Sequence, residues 1–304
     1  MKQKILDFIR SPGDLEPIAL ELFRWQCEQS PTMRRFAGEV EPACLEEIPA
    51  VPASLMRQVT FSCVERPTVV YRTSGTTSGA RGEHWMADND AYELAVKTWF
   101  EAVVTAPLGC VSLITDAPDS SLGAMIRILR PGAVTCFPDV TQLPRYISLQ
   151  PVFLTATAFA LADVLGLDLS LPAGSVVMVT GGFKGQKKRL ARDELLYRIP
   201  RALGDVRVIE EYGMTELSSQ LWNVDGRGFV APPWLYVYTV DPISGRPIDG
   251  KGLLRFVDLA NWSSVLCIET EDLGIVEDGR VHLLGRLPAA LSRGCSLSYE
   301  QAHV

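Results

Sequence analysis

With 304 residues and a formal net charge of −7, the chain is long enough to bury a sizeable core and form subdomains, and too acidic for nucleic acid to be a general partner. Hydrophobic residues make up 47% and charged residues 21%, ordinary globular proportions, so an anionic ligand must be held by local donors and not by the overall field. Seven cysteines without CxxC spacing and only three histidines give no support to zinc or to a disulfide framework. No segment reads as a membrane span or signal peptide: Asp7 interrupts the apolar run at the start, and Asp163 and Asp168 interrupt that of residues 154–169. The expected compartment is the cytosol.

Residues 1–70 read as a mainly helical region packed on the core. Asp14-Leu15-Glu16-Pro17 has the pattern of a helix start, and Leu20, Leu22, Phe23 and Cys27 are spaced for one buried face. Pro49 and Pro52 then break the pattern before Val69-Val70-Tyr71, a predicted strand. Over 71–222 the pattern alternates: helix 88–104, strand 111–114, helix 121–129, strand 134–137, helix 155–165, strand 175–180, helix 187–199 and strand 206–210. Such alternation predicts an α/β core, a largely parallel sheet layered with helices. After Trp222, strand-like segments at 235–240, 252–256, 265–269 and 281–284 predict a smaller β-rich subdomain over 223–304.

The predicted strand at 69–71 opens onto Arg72-Thr73-Ser74-Gly75-Thr76-Thr77-Ser78-Gly79-Ala80-Arg81-Gly82. Glycines let several backbone N–H groups converge, hydroxyls add donors, and Arg81 brings a fixed positive charge, so the loop is suited to a phosphate chain. It lacks the Gly-Lys-Ser/Thr of a Walker A loop. A plain flexible turn has the same composition, and the loop gains meaning from two later elements: Glu210-Glu211-Tyr212-Gly213-Met214-Thr215-Glu216, and Glu271-Asp272-Leu273-Gly274 followed by Gly285-Arg286.

In that order these motifs resemble the adenylate-forming superfamily of acyl-CoA synthetases. With Leu22-Phe23-Arg24-Trp25-Gln26, Ile48-Pro49-Ala50-Val51-Pro52, the Thr180-Gly181-Gly182-Phe183-Lys184-Gly185 run, the run from Met214 to Gln220, and Gly294-Cys295-Ser296-Leu297, the closer resemblance is to the bioluminescence-type acyl-protein synthetases, the LuxE family, over about residues 20–297. The resemblance implies the N-terminal-domain fold of that superfamily and ATP with Mg²⁺ as cofactors. It casts Thr73, Ser74, Gly75, Thr76 and Thr77 as phosphate donors, with Arg81 where the family usually has lysine. It sets Gly181 and Gly182 against the purine and Tyr212 and Gly213 beside adenine and acyl group. Thr215 would contact the α-phosphate, Glu216 would help hold Mg²⁺, and Asp272 would meet the ribose, with Arg286 as a second ribose or hinge contact. Phe183, Leu217, Leu221 and Trp222 point to an apolar acid, fatty or aromatic, and His84 to a contact with substrate or phosphate.

Each residue also has a plainer reading. Glu210, Glu211 and Glu216 fit a solvated acidic edge, Asp272-Leu273-Gly274 and Asp278-Gly279 fit hairpin turns, and His84 fits a structural histidine. The superfamily normally continues after Gly-Arg into a mobile domain with a catalytic lysine; this sequence runs 18 residues past Arg286, with Leu287-Pro288-Ala289-Ala290 at the hinge. In acyl-protein synthetases a cysteine near the C-terminus takes the acyl group and a partner protein receives it. Cys295, close to Arg293, fits that place, or a simple packing turn. The expected function is ATP-dependent carboxylate activation with acyl transfer to a thiol: Cys295, a carrier or partner protein, or coenzyme A. The alternative is a non-adenylating acyltransferase using a preformed thioester, or a non-catalytic nucleotide- or acyl-binding subunit; Thr215, Glu216 and Asp272 favour the first.

Overall fold

The structure, a computed structural model, describes residues 1–73, 81–181 and 191–287. In chain order the helices are α1 (Lys2–Arg10), α2 (Leu15–Gln29), α3 (Pro31–Ala37), α4 (Asp90–Val103), α5 (Ser121–Leu129), α6 (Ala158–Val164) and α7 (Arg192–Leu203). The strands are β1 (Val51–Pro52), β2 (Val69–Arg72), β3 (Glu83–Met86), β4 (Cys110–Leu113), β5 (Val134–Thr135), β6 (Phe153–Thr157), β7 (Ser175–Thr180), β8 (Val206–Tyr212), β9 (Leu221–Asn223), β10 (Phe229–Val230), β11 (Leu235–Val240), β12 (Gly252–Asp258), β13 (Cys267–Glu277) and β14 (Arg280–Arg286). Among the described residues no helix is long and apolar enough to cross a membrane. The chain forms two compact units: residues 1–98, 214–220 and 230 onward make one, and 99–213 with 221–229 the other.

The second unit is the parallel α/β layer the alternation predicts. Strands β8, β7, β6, β4 and β5 lie side by side, all parallel, and β9 joins β8 antiparallel with Tyr212 opposite Leu221. Runs such as Ser175-Val-Val-Met-Val-Thr180 are buried at every position, as a strand covered on both faces requires. Val111, Leu154 and Val177 from the strands pack with Leu161 of α6 and Leu195 and Ile199 of α7. The helix predicted over 155–165 is corrected: Phe153–Thr157 is the strand β6, and only Ala158–Val164 is helical. Thr157 makes the change of structure, its hydroxyl accepting from Ala160 N at 3.3 Å as the helix cap.

In the first unit, β11 to β14 form an antiparallel meander, with β1 parallel to β13. The turn from β13 to β14 is Asp278-Gly279, both at positive φ (50° and 71°), the two-residue geometry that glycine favours. Asp272-Leu273-Gly274 is not a turn; it lies inside β13, which runs for 11 residues. Asp14 caps α2 as expected, accepting from Glu16 N at 3.3 Å. The buried face of α2 is shifted from the one expected: Ala19, Leu22, Phe23 and Gln26 are enclosed, while Leu20 and Cys27 are half-buried. The reason is polar. Gln26 Nε2 donates to the carbonyls of Asn261 and Trp262, and its Oε1 accepts from Leu266 N at 3.0 Å, so an amide satisfies a buried loop that a methyl could not.

Gly252 opens β12 so close to β11 that an added Cβ would stand 2.4 Å from Val240 O. Gly252→Ala is expected to destabilise the protein by about 2 kcal/mol, since backbone and not a flexible side chain must give way. A lower urea midpoint at unchanged slope would register it.

Candidate active site

The site residues read from the sequence fall in both units. In the first, β2 and β3 form a hairpin apart from the large sheet, with Tyr71 opposite His84 and Arg72 opposite Glu83. The sequence reading foresaw β2 but not β3, whose four residues are too few to show their alternation. The hairpin is closed at the mouth of the glycine and hydroxyl loop. Thr73 N donates to Gly82 O at 2.9 Å, and Gly82 N donates to Thr73 Oγ1 at 2.9 Å. Arg81 Nε donates to Thr73 O at 2.7 Å and Nη2 to Arg72 O at 3.2 Å, so the guanidinium braces the loop's base. Ser74, Gly75, Thr76 and Thr77 lie outside the described residues, as do Gly182, Phe183 and Cys295.

His84 sits on the inward face of β3 with Met86 and is 1% exposed. Its Nδ1 is 2.8 Å from Thr215 O and its Nε2 is 2.6 Å from Ser264 Oγ. Both ring nitrogens of His84, expected from the sequence to contact substrate or phosphate, are engaged by protein groups. Burial holds the imidazole pKa down at about 4, the Thr215 carbonyl offsetting part of the effect.

Thr215 begins a segment fixed by buried polar groups. Asp258, 0% exposed, takes Ser218 N (3.0 Å) and Ser219 N (2.9 Å) on Oδ2, and Ser219 Oγ (2.7 Å) and Ala260 N (3.0 Å) on Oδ1. Trp234 Nε1 donates to Ser219 Oγ at 3.0 Å. Asn261 Oδ1 accepts from Ser218 N at 3.0 Å, and its Nδ2 donates to Glu216 O and Val265 O at 2.9 and 2.8 Å. The backbone from Thr215 to Ser219 is therefore held by His84, Asp258 and Asn261, three residues remote in sequence. Burial pushes the Asp258 carboxyl up to about 6, with the four donors opposing it. Sequence reasoning missed Asp258, Asn261 and Ser264; their one visible signal was polarity inside the apolar stretch Phe256–Cys267. Glu216 itself is 7% exposed, and Leu217 1%. Asp272 and Arg286 are cross-strand neighbours, Arg286 Nε donating to Asp272 Oδ1 at 2.8 Å.

In the second unit the remaining residues gather at the carboxyl ends of the parallel strands, where open α/β sheets bind ligands. Gly181 follows β7 at φ +67° with open space where a Cβ would be. Glu210 and Glu211 are 7% and 6% exposed, which overturns the solvated-edge reading. Arg192 grips Glu210 with Nε at 2.6 Å and Nη2 at 2.5 Å, and Asn223 Nδ2 adds a bond at 2.8 Å. Glu211 points to the other face, accepts from the Thr180 hydroxyl, and is pushed by burial up to about 7. Tyr212 meets Phe229 edge-on with ring centres 6.1 Å apart. Trp222, 1% exposed, stands edge-on to Phe100 at 5.3 Å.

No family model matches the chain. Over 103 residues it is 28% identical to the long-chain-fatty-acid–luciferin-component ligase of Aliivibrio fischeri, covering 30% of this chain and 27% of that protein, so the match spans about a quarter of the relative's length. Among solved structures, 2-hydroxyisobutyryl-CoA ligase in an open conformation with 2-HIB-AMP and CoA aligns with a TM-score of 0.66 at 18% identity, covering 88% of this chain and 73% of that one. ATP-bound MatB from Rhodopseudomonas palustris aligns at 0.53 with 16% identity, over 73% of this chain and 49% of that one. O-succinylbenzoate coenzyme A synthetase from Bacillus subtilis, in complex with AMP, aligns at 0.51 with 18% identity, over 73% and 50%. At such identities these likenesses are of fold. The chain has the α/β fold of the adenylate-forming acyl-CoA ligases and, in the sequence of its matched segment, is similar to the LuxE-like ligase of A. fischeri.

Proposed function

We propose that this protein activates an apolar carboxylic acid, fatty or aromatic, with ATP and passes the acyl group to a thiol. The observation that supports the reading best is the clamp on Thr215–Ser219: three buried side chains hold the backbone of the segment that resemblance assigns to the α-phosphate and the metal. Catalysis of adenylyl transfer is chiefly positioning and electrostatic stabilisation, so a segment of fixed geometry is what the step needs.

A carboxylate oxygen attacks the α-phosphorus, forming the acyl–phosphate bond as the bond to pyrophosphate breaks. Thr215 donates to the α-phosphate, and the donors of the loop after Thr73 meet the outer phosphates. Asp272, in the same unit as Thr215, accepts from the ribose. Glu216 suits Mg²⁺ as a hard oxygen ligand. Bound there, Mg²⁺ would offset charge on the phosphates.

A thiolate then attacks the acyl carbon, forming a thioester and releasing AMP. All six described cysteines have thiol pKa values raised by burial first, Cys63, Cys110 and Cys267 to about 12, so none of them is an activated nucleophile. That leaves Cys295, coenzyme A or a carrier protein as acceptor. The test is carboxylate-dependent exchange of labelled pyrophosphate into ATP across fatty and aryl acids. Exchange is expected with apolar acids and should disappear in Glu216→Gln; a wild type inert with every acid would sink the proposal.

A further inference from the structure

We propose that His84 is a positioning residue for the reacting phosphate, acting through the carbonyl of Thr215 as the tie between the phosphate-loop hairpin and the Thr215–Glu216 segment. The proposal rests on the adenylation reading above. Its ground is geometric. His84 lies two residues beyond Gly82, where the loop re-enters β3, and the hairpin is closed at that same point by Thr73 and Gly82. From there the imidazole reaches 131 positions along the chain to Thr215 O, and onward to Ser264 Oγ.

The partners dictate the tautomer. A carbonyl oxygen only accepts, so Nδ1 must carry the hydrogen that bonds Thr215 O. Nε2 is then the acceptor, facing the Ser264 hydroxyl at 2.6 Å, and Ser264 N in turn donates to Asn261 O at 3.0 Å. The ring is thus a neutral spacer of fixed length with one donor and one acceptor. Full burial, which holds its pKa low, keeps it in that form at neutral pH.

Two sets of phosphate ligands need to meet one triphosphate: the loop donors after Thr73, and Thr215 with Glu216. The mouth of the loop is braced by Arg81 and the Thr73–Gly82 pair, and the Thr215–Ser219 segment by Asp258 and Asn261. Between the two, His84 bonds directly to the residue that would touch the α-phosphate. An error of about 1 Å in such a spacing costs roughly 100-fold in rate.

Three variants separate positioning from packing. His84→Leu keeps bulk and removes both hydrogen bonds; His84→Asn keeps a donor close to the Nδ1 position and loses the reach to Ser264; Ser264→Ala removes only the outer partner. Pyrophosphate exchange by folded protein, checked by near-UV circular dichroism, is expected to lose roughly 10- to 100-fold in kcat for His84→Leu with the carboxylate KM unchanged. His84→Asn should recover most of that loss, and Ser264→Ala should show a smaller drop. Nitrogen-15 NMR of the wild type should find His84 neutral with hydrogen on Nδ1. Wild-type exchange undiminished in His84→Leu, an asparagine variant no better than leucine, or hydrogen on Nε2 alone would overturn this proposal and leave the adenylation reading standing. No exchange in the wild type would overturn both.

Discussion

Replacing Asp258 by alanine is expected to destabilise the protein by about 3 kcal/mol at pH 7, among the larger costs a single substitution brings. The carboxylate accepts from Ser218 N, Ser219 N, Ser219 Oγ and Ala260 N, and alanine would leave those donors in a site where the residue is 0% exposed. Each unmet buried donor costs about 1–3 kcal/mol. Against this stands relief of the desolvated charge, for the carboxyl lies near 6 instead of 3.8. That difference of 2.2 units is about 3 kcal/mol at pH 7. The lost hydrogen bonds outweigh the relief because there are four of them, and because Asn261 alone then restrains Ser218.

The pH dependence of that loss has a definite sign. Asp258 has a folded pKa above its unfolded one, so its stabilising contribution is complete below about 3.8 and declines as pH rises through about 6. The gap between wild type and Asp258→Ala should therefore widen as pH falls from 7 to 4, the reverse of an ordinary salt-bridged aspartate. Urea titrations of both proteins at several pH values measure it; a constant gap would mean that the carboxyl titrates as if exposed. Asp258→Asn should not rescue stability, because its amide turns a donor toward backbone N–H groups that are themselves donors.

The α/β layer was legible because buried parallel strands and amphipathic helices alternate with distinct patterns, and β7 coincides with the residues that pattern marks out. Strand β6 was misread since Phe153–Thr157 continues without a break into the apolar helix that follows, and periodicity cannot divide one apolar run into two elements. The motif residues stood out by composition: hydroxyls and glycine after β2, and Tyr-Gly-Met-Thr-Glu after β8. Their supports did not. Asp258 is about forty residues from the segment it holds, and nothing local tells a buried acceptor of backbone donors from a turn former. Glu210 and Glu211 looked like a charged edge because sequence shows charge but not the Arg192 and Thr180 partners that make burial tolerable. The partners of His84 were hidden for the same reason. Its β3 alternation turns it inward, and only the fold supplies Thr215 and Ser264 to receive it.

Glu211→Gln is expected to gain stability in alkali, with a pH profile that identifies the group responsible. Burial raises the Glu211 carboxyl from 4.5 to about 7, only partly opposed by the Thr180 hydroxyl. A folded pKa above the unfolded one means the wild type has its full contribution below about 4.5 and loses it progressively as pH rises through 7. The shift of 2.5 units corresponds to about 3 kcal/mol once the group is ionised in both states. Glutamine is close in shape, and its Oε1 can still accept from Thr180, but it has no charge to desolvate. The two proteins should be nearly equal in stability at pH 4.5, and the variant should lead by up to about 3 kcal/mol at pH 8.5. Thermal unfolding of both proteins across that range measures the difference. A flat difference would show that Glu211 is ionised at little cost, through water or ions reaching it, and a glutamine variant less stable at every pH would show that the charge itself is needed. If the gain appears while pyrophosphate exchange falls, the buried carboxyl at the carboxyl end of β8 is retained for ligand and not for the fold, since a strained group that lowers stability is what a functional site tolerates.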